Sequence, residues 1–420
     1  MDDRARLVAV MEQARDGGAK AAEVLRVRRV SLEQTGSRQA PVQREEIVWT
    51  VRLWREGGTA GLGTASIAAD AVAKALAVAE RAAPDVLAGP AERMAIRTGA
   101  LGIDDHRHPQ IAEEDRTEIL AFAEKAFNQG GLKARSLKYR QWRDERSWMN
   151  SRGVEATENA TSYEVSAEVA VGDATARHRI ASRHFSDVAS LPFGPELRRR
   201  MEPLARPVAR PPGSLPIVFE PRLMADLVRG LAPAFSALSV AEGGFLAPLL
   251  GKRLANPMFH VTDDAGLFGG LHTRAFDDRG VPPIAVALLK EGVVHGLYHD
   301  PETARAGGWR PTGHVSNGVL GPTNLIVRPG ARTRNVILAE LGHYLLLDRL
   351  PAIDLRSGRL RGEVPVVVVE KGERIGSVRV PFDVPLVTLL MAIREVAADQ
   401  ERSCEVDAPT TVFEGSVLAG

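Results

Sequence analysis

The chain has 420 residues, of which 44% are hydrophobic and 25% are charged, and its net charge at pH 7 is +1. This length predicts two or three domains of ordinary size. The near-neutral charge argues against a general polyanion binder, and no apolar run approaches the roughly 20 residues of a membrane span. The chain starts without the apolar segment of a signal peptide, and Cys404 is its only cysteine. We therefore expect a cytoplasmic protein without an intrachain disulfide.

The N-terminal half is predicted to mix helices with antiparallel strands. Residues 3–16 have the apolar spacing of a short amphipathic helix, and residues 47–53 alternate as a half-buried strand does. Ser66 can cap the alanine-rich helix that follows it, and a second helix is predicted over residues 112–128. Alternation returns in residues 162–171, which predicts a further strand and an α+β organisation.

A proline- and arginine-rich segment, residues 196–216, interrupts these patterns and predicts a stiff, basic surface connector. Contact with nucleic acid is the alternative interpretation, but no aromatic residues lie among its arginines, which favours a solvated connector. The sequence is therefore divided into an N-terminal α+β domain over residues 1–195, a linker over residues 196–214 and a C-terminal domain over residues 215–420.

The C-terminal half begins with a predicted helix at Pro221, in which Leu223, Leu227 and Leu231 form an apolar stripe. Short β runs separated by glycine and proline follow and indicate a largely antiparallel sheet. A further helix is predicted near residues 385–399. The expected fold class is α+β in two domains: an N-terminal α/β-type domain with antiparallel strands, and a C-terminal, largely antiparallel β domain with a few helices.

The segment HGLYH places two histidines four residues apart and raises the question of a zinc site. His295 and His299 have the spacing of the histidine pair in helical zinc-peptidase motifs, which also carry a glutamate as general base. No glutamate lies between them, and a turn at Glu291-Gly292 predicts that residues 294–298 form a strand. Side chains four residues apart on a strand lie about 13 Å apart, which is too far for one zinc ion without a bend. Exposed strand histidines are the favoured interpretation.

Other clusters of metal-ligating side chains carry weaker signals. One loop combines two aspartates and two histidines: Asp104, Asp105, His106 and His108. Such a loop could bind a metal weakly, but its position just before a proline and a helix favours a polar surface loop. His178 and His184 lie among arginines, where a divalent cation is disfavoured.

Two pairs of carboxylates are the remaining candidates for acid–base chemistry or for binding a hard cation: Asp263 with Asp264, and Asp277 with Asp278. Adjacent aspartates also mark turns, which is the favoured interpretation. Cys404 has an arginine nearby but no histidine beside it, so an unreactive thiol is favoured over a nucleophile.

The common catalytic and phosphate-binding motifs do not occur in the sequence. No histidine is followed by glutamate, and there is no GxSxG, GxxxxGK[ST] or GxGxxG pattern. The glycine-rich segment GGTAGLG, residues 57–63, carries no lysine for phosphate and is interpreted as a strand-to-helix turn that needs flexible backbone angles. We therefore predict no catalytic, cofactor-binding or metal-binding residue in this chain.

An ordered set of motifs along the whole chain resembles the TldD/PmbA family. In the first half the resemblance lies in VRLWREGGTAGLGTAS (51–66) and WMNSRG (148–153). In the second half it lies in a longer series of segments: VFEPRLMADLVRGL, NPMFHVTDD, RAFDDRGVPP, LLKEGVVHGLYHDPETA, PTGHVSNGVLGPTNLIVRPG and DAPTTVFEGSVLAG. The order and spacing of the set, rather than any one motif, carry the resemblance.

The resemblance implies one of two branches. TldD-like members resemble zinc peptidases with an HExxxH motif on a helix early in the second domain, whereas PmbA (TldE)-like members lack these ligands and pair with a TldD-like subunit. Here the corresponding helix is Pro221 to Leu231, which contains no histidine. His314 occupies a position where the family usually has asparagine, and Cys404 is too close to the C-terminal motif to match the family's cysteine ligand. These features indicate the PmbA (TldE)-like branch.

The resemblance implies that this chain holds no cofactor and that zinc belongs to a TldD-like partner in a heterodimer. The family is linked to trimming of unfolded or modified peptides and to modulation of DNA gyrase. We therefore expect an extended peptide as substrate, and neither a membrane nor a nucleic acid as partner. Arg279 stands where the family commonly has glutamate, and Arg359 where it usually has aspartate, so a specialised role remains open.

Three functions follow from these observations. The first is a non-catalytic subunit of a TldD-type zinc metallopeptidase complex. The second is a homodimeric peptide-binding or scaffold protein of the same fold. The third is an independent peptidase with an unconventional site built from Asp263, Asp264, Asp277, Asp278 and nearby histidines.

Overall fold

The computed structural model describes residues 2–56, 58–82, 100–129, 131–171, 174–189 and 193–418. Helices occur in both halves of the described chain. They are α1 (Asp3–Asp16), α2 (Ala68–Arg81), α3 (Glu113–Gln129), α4 (Phe185–Ala189), α5 (Phe193–Met201), α6 (Pro221–Leu231), α7 (Ala237–Ala241), α8 (Pro301–Gly307), α9 (Arg334–Leu341) and α10 (Leu386–Met391). None of the described helices is long and apolar enough to cross a membrane.

The N-terminal half forms a six-stranded antiparallel sheet from long strands. They are β1 (Ala19–Thr35), β2 (Val42–Arg55), β3 (Ala60–Ala65), β4 (Lys133–Asn150), β5 (Glu155–Val171) and β6 (Ala174–Ser182), in the spatial order β3-β2-β1-β4-β5-β6. The register pairs Val24 with Val51 on β2 and with Met149 on β4. These three residues pack in one apolar cluster with side chains of α1 and α2, so this face of the sheet is covered by helices.

The segment between β2 and α2 departs from two sequence predictions. The N-cap of α2 is Ile67 rather than Ser66, and it makes no side-chain capping bond. Gly58 has a positive φ in the turn between β2 and β3, but Gly61 and Gly63 lie inside strand β3. A Cβ at either of the latter would overlap the backbone of α2. These two glycines are needed for close helix–strand contact rather than for flexible backbone angles.

The C-terminal half forms an eleven-stranded sheet that is largely antiparallel, as predicted. Its strands are β7 (Ile217–Phe219), β8 (Val261–Asp264), β9 (Ala285–Lys290), β10 (Val293–Val294), β13 (Leu325–Val327), β14 (His343–Leu347), β15 (Ala352–Asp354), β16 (Arg359–Glu370), β17 (Glu373–Pro385), β18 (Ile393–Ser403) and β19 (Val406–Phe413), while β11 (Val315–Ser316) and β12 (Val319–Leu320) form a separate hairpin. Only β13 with β19 and β14 with β7 pair in parallel among the described strands. The α+β fold class is therefore confirmed.

The C-terminal end of the chain contains less helix than predicted. Helix α10 ends at Met391, and residues 393–403 form strand β18 instead of continuing a helix to residue 399. Strand β18 pairs with β19, which puts Ile393 opposite Phe413. Pairing with the adjacent strand β19 has overridden the local helical spacing, as strand pairing commonly does for short apolar runs. After Phe413 the chain enters a 3-10 turn over Gly415–Leu418.

The segment predicted as a surface connector lies partly in the core. Helix α5 extends to Met201, and Leu197, Met201 and Leu204 are buried. They belong to an apolar cluster that also contains Val165 of the first sheet and Leu346 of the second. The prediction of a surface position is therefore wrong for Leu197, Met201 and Leu204, because these apolar side chains join the two sheets. The division into two domains stays a prediction.

Packing between β3 and α2 gives a testable consequence. We expect Gly63→Ala to lower the free energy of unfolding by about 1–3 kcal/mol, because the added methyl group forces the sheet and helix apart. The matched control is Gly321→Ala, where a Cβ meets nothing within 4 Å and the change should stay within about 0.5 kcal/mol. Urea unfolding of the two variants measures both values, and equal effects would contradict the packing argument.

Candidate functional site

The histidine pair of HGLYH does not form a site. Strand β10 ends at Val294, so the predicted strand over residues 294–298 is wrong beyond its first residue. His295 is exposed, whereas the His299 ring stacks on Trp309 with 6.0 Å between centroids. Tyr298 lies between them, is buried and donates from its hydroxyl to Asp263 at 2.8 Å. The segment packs on its neighbours through Tyr298 and presents the two histidines to different surroundings.

The paired aspartates serve the backbone and neighbouring arginines. Asp277 is buried and accepts from the amides of Arg279, Val281 and Val315 at 2.8, 2.9 and 3.1 Å. Asp278 pairs with Arg146 at 2.7 Å. The turn interpretation is confirmed for Asp277, whose carboxylate holds the loop together.

Asp263 is the centre of a buried polar network on strand β8 rather than a turn residue. It accepts from the amides of Thr323 and Asn324 at 2.8 and 2.9 Å, and the His314 ring nitrogen lies 3.6 Å from its carboxylate. Neighbouring Asp264 accepts from the Gly266 amide at 2.9 Å and thus does mark a turn. With these backbone amides bound, Asp263 and Asp277 are not available as ligands for the unconventional peptidase site.

The DDHRH loop is also held by hydrogen bonds, and only part of it is exposed. Asp105 is buried and accepts from the amides of Arg107 and Phe185, each at 3.0 Å. His108 contacts the Tyr163 hydroxyl at 2.9 Å, while Asp104 and His106 are exposed. In the same part of the fold, His184 bonds the carbonyl of Gly102 at 3.0 Å. The loop is thereby fastened to the sheet.

The two unusual arginines are accommodated within the chain. Arg279 is buried and forms a bidentate pair with Glu302 at 2.6 and 2.9 Å, and its Nε donates to Glu23 of the first sheet. Arg359 pairs with Asp383 on the neighbouring strand at 2.6 Å. Each therefore has a carboxylate partner in this chain, and neither needs an external one.

A groove runs along the outer edge of β6 and is the strongest candidate site. It consists of two adjoining cavities of about 540 and 520 Å³, which share His178, Arg179, Arg222, Ser403 and Cys404. Its walls are β6 on one side and, on the other, helix α6 with the turn between β18 and β19. We call it the edge groove. Nothing in the described chain pairs with this side of β6.

Backbone groups of β6 point into the edge groove. The carbonyl oxygen of Thr175 accepts from Arg349 at 3.3 Å, and that of Arg179 lies 3.8 Å from the Cys404 thiol. In an antiparallel strand, the amide and carbonyl of one residue face the same side, and alternate residues share that side. Arg177, midway between these two, therefore directs both its N–H and its C=O into the groove, where a peptide strand could pair with them.

The helix face that lines the edge groove carries charged residues. Arg222, Asp226 and Arg229 recur at helical spacing on α6, and Asp226 pairs with Arg222 at 3.3 Å. Arg229 donates to Asp226, to the Ser403 carbonyl at 3.0 Å and to Glu405. The helical spacing of these three residues was visible in the sequence, but Glu405, the partner of Arg229 far along the chain, was not.

Electrostatics along the edge groove disfavour proton transfer and thiol chemistry. Burial, with the nearby Arg200 and Arg222, lowers the pKa of His178 to about 4, so this ring is neutral at pH 7. Burial raises the pKa of the Cys404 thiol, which removes the thiolate that a nucleophile needs. The thiol is a packing group at a left-handed turn position, with φ of 59°.

The edge-groove residues do not fit a zinc ion. The guanidinium of Arg229 cannot act as a metal ligand, and it pairs with one oxygen of the Glu405 carboxylate. Within the residues that the structure describes, no group of three or more histidine, cysteine, aspartate or glutamate side chains could hold a metal.

The Arg229–Glu405 pair gives a pH-dependent prediction. We expect Arg229→Met to lower the free energy of unfolding by about 2 kcal/mol at pH 7, because it leaves a buried carboxylate without its partner. Burial raises the pKa of Glu405, but Arg229 outweighs burial and the net pKa is lowered. Stability from this pair is therefore present above the unfolded-state pKa near 4.3 and lost as the pH falls through the lower folded value.

Urea unfolding of wild type and variant at pH 7 and at pH 3 measures this difference, which should shrink at the lower pH. Arg402→Met is the matched control, because the Arg402–Asp407 pair at 2.8 Å is half exposed and should contribute less than about 1 kcal/mol. A loss for Arg229→Met that does not change with pH would contradict the prediction.

Comparisons with known proteins identify the family of the C-terminal half. Residues 212–420 match the family described as PmbA/TldA metallopeptidase C-terminal domain. Metalloprotease slr0863 of Synechocystis is 34% identical over 106 residues, which are 24% of this chain and 22% of that protein. The chain thus aligns with only about a fifth of that relative's length.

Solved structures match over nearly the whole chain. TldE from Thermococcus kodakarensis has a TM-score of 0.84 at 19% identity, covering 97% of this chain and 98% of that one. A candidate modulator of DNA gyrase from Bacteroides thetaiotaomicron gives 0.83 at 20% identity, with 99% and 98% covered. A similar candidate from Thermotoga maritima gives 0.81 at 20%, with 98% of each chain covered. The chain belongs to the PmbA/TldD metallopeptidase-related family, and its fold is that of TldE.

Proposed function

We propose that this chain is the non-catalytic, PmbA/TldE-like subunit of a TldD-type zinc metallopeptidase complex that processes unfolded or modified peptides in the cytoplasm. The observation that carries the proposal is the groove face of α6. This helix corresponds, in the family resemblance, to the one with the zinc ligands of TldD-like members. In this chain it presents Arg222, Asp226 and Arg229, and Glu405 neutralises Arg229.

The division of labour follows from these residues. A TldD-like partner in a heterodimer would hold the zinc and carry out hydrolysis. This chain would contribute the edge groove, where an extended peptide adds a strand to β6 through the N–H and C=O of Arg177. Main-chain pairing of this kind gives affinity without a fixed sequence, which suits a complex that acts on many unfolded peptides.

A homodimeric scaffold is the alternative function, and the two unusual arginines motivated it. Because Arg279 pairs with Glu23 and Glu302, and Arg359 with Asp383, those arginines no longer favour a separate role. We therefore keep heterodimer formation as the proposal.

Native mass spectrometry of the protein purified gently from its own cells tests the assembly. We expect a one-to-one complex with a second chain that carries zinc. Peptide cleavage by the matched TldD-like subunit should also depend on this chain. A metal-free homodimer, or equal cleavage without this chain, would overturn the proposal.

Strand addition at β6 has its own test. We expect Arg177→Pro to weaken binding of a labelled unstructured peptide at least 10-fold, because proline removes the outward N–H while an edge strand tolerates it. Arg177→Ala is the matched control: it removes the side chain but keeps the N–H, and should bind almost as wild type does. Fluorescence anisotropy measures the affinities, and circular dichroism checks that each variant is folded. Wild-type affinity in the proline variant would contradict strand addition.

A further inference from the structure

A third cavity lies where the first sheet faces the loops of the C-terminal half. It has a volume of about 380 Å³ and shares no lining residue with the edge groove. Its floor is the sheet face opposite the one covered by α1 and α2. The loop with Arg274 and the β11–β12 hairpin, with Asn317 at its turn, close it from the other side. We call it the interdomain cavity.

The strand register gathers polar groups on the floor of this cavity. Glu23 lies opposite Arg52 on β2, and Leu25, two residues along β1 and on the same face, lies opposite Trp148 on β4. Residues directly opposite have Cβ atoms about 5 Å apart, and diagonal neighbours are about 7–8 Å apart. Glu23, Arg52 and Trp148 are thus within reach of one small molecule.

Three polar atoms on this floor have no hydrogen-bond partner within the described chain. They are Glu23 Oε2, Arg52 Nε and Trp148 Nε1. Glu23 and Trp148 are almost fully buried, and Arg52 Nε is 3.5 Å from the other Glu23 oxygen, which is beyond good hydrogen-bond geometry. Buried polar groups are normally bonded, and each one left unbonded is costly. The floor therefore offers one carboxylate acceptor beside two donors.

The buried arginines that line the cavity beside Arg52 already have partners. Arg279 is held by Glu23 Oε1 and Glu302, and Arg146 by Glu158 and Asp278 at 3.2 and 2.7 Å. These pairs fix the walls of the cavity. The three atoms on its floor keep their capacity for hydrogen bonds.

Apolar side chains complete the lining beside these atoms. Leu25, Val27, Val48 and Val315 all line the cavity. Small-molecule sites combine such apolar walls with a few placed polar groups, and their volumes begin at about 300 Å³. The lining suits a ligand with one cationic donor, one anionic acceptor and a short aliphatic part.

We propose that the interdomain cavity binds a free α-amino acid with an aliphatic side chain. The ammonium group donates to Glu23 Oε2, and the carboxylate accepts from Arg52 Nε and Trp148 Nε1. The side chain packs against Val27, Val48 and Val315. Burial raises the pKa of Glu23 despite the nearby Arg279 and Arg52. The ammonium group of the ligand favours the ionised form of this carboxylate. The proposal is independent of a peptidase partner, since every group it uses belongs to this chain.

Isothermal titration calorimetry of the full chain with L-leucine tests the proposal. We expect saturable one-to-one binding. L-leucinamide, which lacks the carboxylate, and 4-methylpentanoate, which lacks the ammonium, should each bind at least 10-fold more weakly. No saturable heat with L-leucine, which would mean that water alone fills the cavity, would overturn the proposal, and so would equal binding of all three compounds.

Trp148→Phe isolates one of the three atoms. It removes the indole N–H, which has no partner in the described chain, and should weaken L-leucine binding at least 10-fold while leaving the melting temperature within a few degrees. Trp142→Phe is the matched control, since Trp142 lies on the same strand but does not line the cavity; it should bind L-leucine as wild type does. Unchanged affinity in Trp148→Phe would overturn the assigned contact.

Glu23→Gln provides a second variant should Trp148→Phe unfold. It keeps a side-chain oxygen for Arg279 but removes the negative charge that the ammonium needs. We expect this variant to bind L-leucine at least 10-fold more weakly than wild type does. It should bind 4-methylpentanoate no more weakly than wild type does. Equal L-leucine affinity in Glu23→Gln and wild type would overturn the proposal.

Discussion

The buried guanidinium of Arg279 joins the two halves of the molecule, and both the interdomain cavity and the placement of α8 depend on it. It contacts Glu23 on β1 and Glu302 on α8, while Arg52 lies 3.5 Å from each of these carboxylates. A buried ion pair is a weak source of net stability, because desolvation offsets most of its attraction. Its value here is positional: once these charges are buried, other arrangements of the two halves would leave at least one of them unpaired.

Pairing of charges within the chain also lets it keep the family fold while its α6 face departs from that of a zinc peptidase. The described edge groove retains a helix, an edge strand and a turn with a cysteine, which together define a peptide-sized channel. Arg229 and Glu405 neutralise each other where a metal site would need free ligands. The binding role that we propose therefore requires no chemistry from this chain.

Two sites with different properties thus lie on the N-terminal sheet. In the proposed function, the edge groove offers backbone groups of β6 to an extended chain, and its selectivity would be low because main-chain pairing does not depend on side chains. The interdomain cavity offers three side-chain atoms on the strand face and selects by charge and size. One sheet can carry both because its edge and its face present different chemical groups.

The sequence by itself determined the periodic elements and the α+β class: α1, α3, α6 and the long strands follow from apolar spacing that holds in isolation. It also determined the family, through motifs spread over the chain. Tertiary structure decided the rest. Residues 393–403 became a strand because β19 pairs with them, and Gly61 and Gly63 were needed because α2 lies against β3. Glu405 reached Arg229, and Glu23 reached Arg279, only through the fold. The last two contacts join residues more than 170 positions apart, and local patterns carry no information about them.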